Sequence, residues 1–369
     1  MPRISFCISS LAPSGAEFQI SELAINIRDF GFGSEVVVLA PPPAENNNRL
    51  LKKLSQHKIP VTFLNATHKW QLLSVIHKMS RHFKTTKPGL IQCFLPHANI
   101  IGAVAGKVAG VPHVVSGIRN EPQDQLYLNK LAKLTERFVS RHVCVSNGTN
   151  KYARQVMKLS EKKLHVIPNG VELARFLSSP SPPLLNIEPN NKIVTWVGRL
   201  ENQKRPLWML DMMEQLLADD ESLHLVVAGD GSLADQITRR VDLLRYRARI
   251  HILGYFAEIP RLLSQSYLLI STSAWEGMAN VILEAMAAGK PVVATDVGGC
   301  REVLGDLVTH QIVPAHDMFL FRHKVKHLLK NEKLAIDLGI RNHQRVKKYF
   351  NPTESIERYA KLYHELIAK

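Results

Sequence analysis

The chain has 369 residues, 45% of them hydrophobic, with 47 Lys+Arg against 32 Asp+Glu and a formal net charge of +15. That length exceeds one ordinary core and points to two domains, while no apolar run reaches the roughly 18 residues that a membrane-spanning helix needs. The start, Met1 to Ile8, is too short and broken for a secretory signal and reads as a first strand.

Strand-like runs alternate with helix-like ones throughout. They fall at 3–10, 35–40, 90–95, 112–116, 142–146 and 164–167, then at 192–198, 223–228, 250–253, 267–272, 291–295 and 311–313. Alternation with turn residues between argues for parallel sheets with crossover helices. Residues 68–87 set Lys69, Lys78, Arg81, Lys84 and Lys87 among Trp70, Leu72, Leu73, Ile76, Met79 and Phe83. The apolar spacing is helical, and a core face explains it as well as a membrane face. Ser178 to Pro183, continuing to Asn190-Asn191, is the one Pro/Ser/Asn-rich linker. The expected organisation is a doubly wound α/β domain over 1–178, a linker over 179–191 and a second such domain over 192–350. Residues 351–369 read as a helix begun after Asn351-Pro352, able to pack back on the first domain. Two such domains imply a cleft faced by the carboxyl ends of both strand sets.

The four cysteines, Cys7, Cys93, Cys144 and Cys300, are scattered with no C-x-x-C pair, and three sit in strand-like runs. Buried free thiols are favoured over disulfides or a metal site. Charge is uneven: residues 1–175 hold 23 Lys+Arg against 10 Asp+Glu, and the remainder 24 against 22. A basic first half suits an anionic partner, whether a membrane surface, a phosphorylated acceptor or nucleic acid.

The motifs follow the strand ends. Ser14-Gly15-Ala16-Glu17 opens a helix after the first strand, where backbone N–H groups suit a phosphate. Trp196-Val197-Gly198-Arg199-Leu200-Glu201-Asn202-Gln203-Lys204 ends a strand and supplies two cations, a bidentate guanidinium and a point charge. Ala228-Gly229-Asp230-Gly231 and Leu253-Gly254-Tyr255 are strand ends turning at glycine, where backbone can approach a flat base. Glu276-Gly277-Met278-Ala279-Asn280 to Glu284 places two carboxylates with seven residues between them. The first is expected on the loop after strand 267–272, the second in the first turn of a helix capped by Asn280 and closed by Gly289. That geometry suits hydroxyls on two parts of one extended polar ligand. Asp296-Val297-Gly298-Gly299 brings a further run of N–H groups near Glu276.

The order G-R-L-x-x-Q-K, A-G-D-G, L-G-Y and E-G-x-x-N-x-x-x-E-A-M-A-x-G-x-P-V-V-A-T-D-V-G-G resembles the retaining glycosyltransferases of family 4. The likeness is strong over 192–305 and looser over 1–175, through Ser14 to Glu17, Pro96-His97-Ala98-Asn99 and Ile167-Pro168-Asn169-Gly170-Val171. It implies the GT-B fold, two Rossmann-like domains facing across a cleft. It further implies that Glu284 holds the ribose hydroxyls of a nucleotide and Glu276 those of the donor sugar, with Arg199 and Lys204 on the diphosphate. Gly15, Gly254 and the segment Gly277, Met278, Ala279, Asn280 complete the donor cradle; His97 falls at the pocket histidine of relatives, a catalytic position facing the reacting sugar, and Arg119 where many of them place a histidine. The chain departs from the pattern at Ser14-Gly15, where Gly-Gly is common, and at Met278-Ala279, where an apolar residue precedes proline.

No D-x-D motif occurs, so no metal or other cofactor is expected, and cations with helix termini take the diphosphate charge. The implied reaction moves a hexose or N-acetylhexosamine from a nucleotide-diphosphate sugar, a UDP-sugar by preference, to a saccharide or lipid-linked acceptor of cell-surface polysaccharide or lipopolysaccharide synthesis. Front-face departure with retention is the implied route, in a cytoplasmic protein peripheral at the inner membrane through its basic half. Two rivals stand beside it. A nucleotide-sugar 2-epimerase shares the fold but lacks these motifs in this form; a polyanion-binding protein fits the charge, yet no stacking platform or nucleic-acid module is present, and no nucleic-acid partner is expected.

Overall fold

The computed structural model describes residues 1–12, 14–45, 48–68, 71–122, 126–176 and 183–368. Lys69, Trp70 and residues 178–182 of the expected linker lie outside the described residues. The chain divides into two compact units, Met1–Asn169 with Thr353–Lys369, and Gly170–Pro352.

The first unit alternates β1 (Arg3–Ile8), α1 (Gly15–Asn26), β2 (Gly33–Val38), α2 (Arg49–Gln56), β3 (Val61–Phe63), α3 (Leu72–Thr86), β4 (Leu90–Phe94), α4 (Pro96–Ala109), β5 (His113–Ile118), α5 (Leu126–Thr135), β6 (Arg141–Cys144), α6 (Asn147–Gln155) and β7 (Leu164–Val166). Its strands form one parallel sheet in the order β3-β2-β1-β4-β5-β6-β7. The central strands are apolar on both faces, as a sheet covered by helices on both sides requires; every residue of β4 is buried. The edge strand β3 was not foreseen: three half-buried residues after Pro60 give too short a run to stand out by periodicity. In α3, Val75, Met79 and Phe83 are buried while Leu72 and Leu73 are exposed, so most of its apolar spacing serves the core.

The second unit continues with β8 (Lys192–Val197), α7 (Pro206–Asp219), β9 (Leu223–Ala228), α8 (Ala234–Asp242), β10 (Ile250–Gly254), α9 (Ile259–Gln265), β11 (Leu268–Ser271), α10 (Asn280–Ala287), β12 (Val292–Thr295), α11 (Cys300–Leu304), α12 (Val308–Gln311), β13 (Ile312–Val313), α13 (Met318–Lys330) and α14 (Glu332–Tyr349). The sheet is again parallel, ordered β10-β9-β8-β11-β12-β13. Its core packs Trp196, Met209, Met213 and Leu225 against Phe321 and Leu338. Arg249, which closes the basic stretch Arg239-Arg240 to Arg249, donates to the carbonyls of Leu217, Asp220 and Leu223 and staples the turn between α7 and β9.

The chain first crosses between units at Asn169–Gly170, before the Ser/Pro-rich stretch, because Val171 N–H already bonds Phe350 C=O at 2.9 Å inside the second unit. Helix α15 (Pro352–Ile367) then belongs to the first unit. Tyr359, Leu362, Tyr363 and Leu366 enter the core built on Phe6, Phe32 and Phe94. Tyr363 is fully buried and its hydroxyl donates to Gln92 Oε1 at 2.9 Å.

Tyr363→Phe should cost the first unit about 1–2 kcal/mol by orphaning the Gln92 oxygen, and Tyr363→Ala about 3–5 kcal/mol through the cavity left behind. Urea midpoints would show both; an unshifted midpoint for the alanine variant would remove α15 from the core.

Candidate active site

At the carboxyl edge of the second sheet the strand ends touch one another. A Cβ on Gly229, whose φ is +153°, would lie 1.8 Å from the Gly198 carbonyl oxygen, so only glycine lets the ends of β8 and β9 meet. Gly229 N–H bonds Gly254 C=O at 2.7 Å, which ties in the end of β10. Gly298, with φ +51°, sits where a side chain would strike the Glu276 carbonyl at 2.2 Å. The next N–H, of Gly299, donates to Gly277 C=O at 2.8 Å. That N–H therefore supports the Glu276 turn and is not one of the run expected to face a ligand.

On this edge the loop after β8 and the loop after β11 are joined at several points. Lys204 forms an ion pair with Glu276, both side chains largely buried, and Ser273 Oγ donates to the same carboxylate at 2.7 Å. Gln203 accepts from Arg199 Nη2 at 2.9 Å, donates from Nε2 to Trp275 C=O at 3.0 Å, and accepts Ala274 N–H on its backbone oxygen at 2.7 Å. Thr272 Oγ1 accepts the Trp196 indole N–H at 3.0 Å and donates to Lys204 C=O at 2.7 Å. On the other flank Glu201 accepts from Ser232 N–H at 2.9 Å and from its hydroxyl at 2.7 Å. The backbone and hydroxyl hydrogen bonds from Ser232, with the charge of Arg199, hold the Glu201 carboxyl below its usual range against the opposing effect of burial.

Glu284 sits differently from expectation. Helix α10 begins at Asn280 with Ala279 as its cap, which places Glu284 fifth, at the start of the second turn. Asn280 is thus the first helical residue and not the cap. Part of the Glu284 surface stays accessible, yet the protein around it pushes its carboxyl up to about 7, opposed by the charge of Arg175. Gly277, Met278 and Ala279 are buried beneath the loop, and Gly254 turns at φ +64°.

In the first unit, Gly15 is exposed as the first residue of α1. Its loop is organised around the buried Glu17 carboxylate, which accepts from Ser10 Oγ at 3.2 Å and from Ser14 Oγ. His97 is exposed in the first turn of α4, two residues after Leu95, whose φ of +75° lies in the region that favours glycine. Arg119 stacks over the Phe94 ring at 4.6 Å and donates to Asn169 and to Tyr359 Oη, so α15 holds it. Burial lowers its guanidinium from the usual value. Arg119 also lines a cavity of about 30 Å³ beneath α5, with Asn120, Pro96 and His142. Burial keeps His142 near 4, hence neutral, with Nδ1 2.6 Å from Ser116 Oγ. Cys7, Cys93, Cys144 and Cys300 are free and buried.

The sequence motifs located Arg199, Lys204, Glu276 and Glu284 but gave no part to Gln203, Thr272, Ser273 or Arg175. The polar run Ser271-Thr272-Ser273 at a strand's carboxyl end was the available signal.

Two parallel doubly wound units, with paired cations and carboxylates collected at the strand ends of the second, belong to a glycosyltransferase of the GT-B fold. Residues 182–356 match Glycosyl transferases group 1 and residues 13–175 match Glycosyltransferase Family 4. The chain is a member of that glycosyltransferase family. It is 25% identical over 301 residues to UDP-Gal:alpha-D-GlcNAc-diphosphoundecaprenol alpha-1,3-galactosyltransferase of Escherichia coli, covering 77% of each chain. It is 24% identical over 315 residues to the phosphatidylinositol N-acetylglucosaminyltransferase GPI3 subunit of Saccharomyces cerevisiae, covering 80% of this chain and 68% of that one. The structure of Anabaena Alr3699/HepE in complex with UDP-glucose has the same fold, with a TM-score of 0.86 at 22% identity over 99% of this chain and 100% of that one.

A carboxyl held near 7 in the folded chain, against an ordinary value of 4.5, binds its proton more tightly folded than unfolded. Its contribution to stability is full below about 4.5 and is lost as pH rises through about 7. Glu284→Gln should therefore flatten the decline in stability between pH 5 and pH 8 seen in denaturant melts. A parallel decline in parent and variant would place the carboxyl in ordinary solvent.

Proposed function

We propose that the protein transfers a hexose or N-acetylhexosamine from a UDP-sugar to a saccharide or lipid-linked acceptor of cell-surface polysaccharide or lipopolysaccharide synthesis, with retention at the anomeric carbon and without a metal. The observation that carries this reading is the union of the Arg199–Lys204 loop with the Glu276 loop through Gln203. Cations that meet a diphosphate and a carboxylate that meets sugar hydroxyls then form one preorganised body. The names of two matches support the donor class: the Escherichia coli relative uses UDP-Gal, and the Anabaena protein was solved with UDP-glucose. The diphosphoundecaprenol in the former name supports a lipid-linked acceptor.

In this reading Arg199 and Lys204 bind the diphosphate and take up the negative charge that grows on its leaving oxygen. Lys204 exchanges part of its attraction to Glu276 for the phosphate, and Glu276, still held by Ser273, turns its acceptor capacity to the sugar hydroxyls. Glu284 in its ionised form accepts from the ribose hydroxyls, while Gly15, Gly254 and the segment Gly277 to Asn280 close the cradle by backbone. The departing diphosphate oxygen receives the acceptor proton on the same face, so configuration is kept. His97 and Arg119 are assigned to the acceptor side.

The first test is thermal shift with UDP, GDP, ADP and their sugars, with and without chelator. Stabilisation by the uridine series alone, indifferent to chelator, is expected; no shift with any nucleotide would overturn the donor site. Glu284→Ala should weaken UDP binding about tenfold, and unchanged affinity would remove it from the ribose. Gln203→Ala should leave circular dichroism intact and lower turnover on the order of a hundredfold, with the anomeric proton coupling of the product reporting retention in the parent enzyme.

A further inference from the structure

The Glu284 carboxylate makes no hydrogen bond and no ion pair among the described residues, whereas Glu276 has both Ser273 and Lys204. Most charges packed around α10 are engaged elsewhere. From α14 come His343, whose Nδ1 donates to Ala287 C=O at 2.8 Å, and Arg345, whose guanidinium serves the carbonyls of Glu302 and Val303. α11 brings the buried Cys300 thiol, Arg301 in its pair with Asp296, and Glu302. α9 brings Arg261, paired with Glu258, and Lys290, just past α10, donates to Ser264 C=O at 2.9 Å. β11 and β12 carry no ionisable side chain. The remaining neighbour is a single 3₁₀ turn, Leu173–Phe176, which packs against α9 and α10 together. Phe176 is buried there and Arg175 half-buried, its guanidinium 5.7 Å from the centre of the Phe176 ring. The charge that reaches Glu284 against its burial is that of Arg175. A cation beside a carboxylate and a ligand's hydroxyls in front of it favour the same ionised form.

We propose that Arg175 is a positioning residue that acts through Glu284, holding its carboxylate ready for the ribose, and that the nucleotide sugar binds with loss of the Glu284 proton. This rests on the proposed ribose contact and adds the control of that contact. With its carboxyl near 7, part of the Glu284 population carries a proton at neutral pH in the free protein. The protonated group turns one of its oxygens into a donor, so it meets two hydroxyl donors with reduced acceptor capacity. When the ribose arrives, the Glu284 O–H bond breaks and the proton passes to water through the accessible part of the side chain. Both ribose hydroxyls keep their protons and donate to the carboxylate, so water is the only proton acceptor the step needs. Arg175 offsets part of the burial and leaves the ligand less proton to displace. Donor capture is then weakened by acid and restored by base. The pH at which this happens is set by one side chain that lies outside the motif of paired carboxylates.

The test is titration calorimetry of the full chain with UDP-glucose from pH 5.5 to pH 9, for the parent, Arg175→Ala, Arg175→Lys and Glu284→Gln. UDP-glucose serves better than UDP because its diphosphate does not titrate in that range. The parent's dissociation constant should level off above about 7 and rise about tenfold per pH unit below it. Buffers of different ionisation enthalpy should register proton release at pH 6.5 in the parent and none in Glu284→Gln, whose affinity should be flat with pH. Arg175→Ala should bind about fivefold more weakly at pH 7 and like the parent at pH 9, its midpoint displaced upward, while Arg175→Lys keeps the parental profile. Arg175→Gln, which retains most of the side chain's bulk, repeats the measurement without emptying the turn. An unmoved midpoint, or a weakening equal at every pH, would leave Arg175 a structural part only and overturn the proposal. Failure of the parent to bind UDP-glucose at any pH would instead sink the donor reading. The coupling then remains measurable in the free protein, where Arg175→Ala should move the pH-dependent decline in stability upward, and an unmoved decline would overturn it.

Discussion

The Lys204–Glu276 ion pair is the contact on which the loops of the second sheet depend. The two residues are 72 positions apart and come from turns after different strands, β8 and β11, yet each is largely buried in the other's company. A charge taken out of water this far needs its partner: removing either leaves the other uncompensated, at a cost of about 3–5 kcal/mol. The supporting bonds all serve to keep that pair in register. Thr272 fixes the backbone of Lys204, Ser273 fixes the carboxylate, and Gln203 spans both loops from its side chain and its main chain. Gly298 permits the loop after β12 to press on the back of Glu276, which a side chain of any size would prevent.

The two carboxylates of the motif then face opposite conditions. Glu276 meets a cation at close range, whereas Glu284 meets mainly burial, relieved only by the charge of Arg175, and is held near 7. Two identical groups eight positions apart are thereby given different tasks by their surroundings. One is kept in a salt link that a phosphate can share. The other is poised so that a ligand offering hydroxyl donors to its charged form is rewarded on binding.

Much of this was legible in the sequence. The strand runs at 90–95 and 223–228 are buried on both faces and declare themselves by composition, and the Glu276-to-Glu284 segment carries its own boundaries in the glycine that closes it. What escaped was set by contacts distant along the chain. Gln203 stood in a motif as a plain polar residue, because its role needs the Trp275 carbonyl, 72 positions on, to be seen. The sequence offered Arg119 as a pocket cation but not what holds it, since its partners Asn169 and Tyr359 lie 50 and 240 positions away. Arg249 closes a basic run whose composition says nothing of the three carbonyls it serves. β3 was missed for the opposite reason, having too few residues for any pattern.

The charge division between the units follows from the same physics. The first unit holds 25 Lys and Arg against 12 Asp and Glu, the second 22 against 20. A site that works through an internal ion pair and short hydrogen bonds needs no net field, because its partners lie within a few ångströms of one another and screening hardly reaches them. A surface that must find a charged partner across solvent needs the reverse, many unpaired charges of one sign acting together. The near-neutral second unit carries the paired arrangement, and the basic first unit carries the exposed one. The excess positive charge therefore lies on the unit without this paired arrangement, while the residues of the paired site contribute almost nothing to the total.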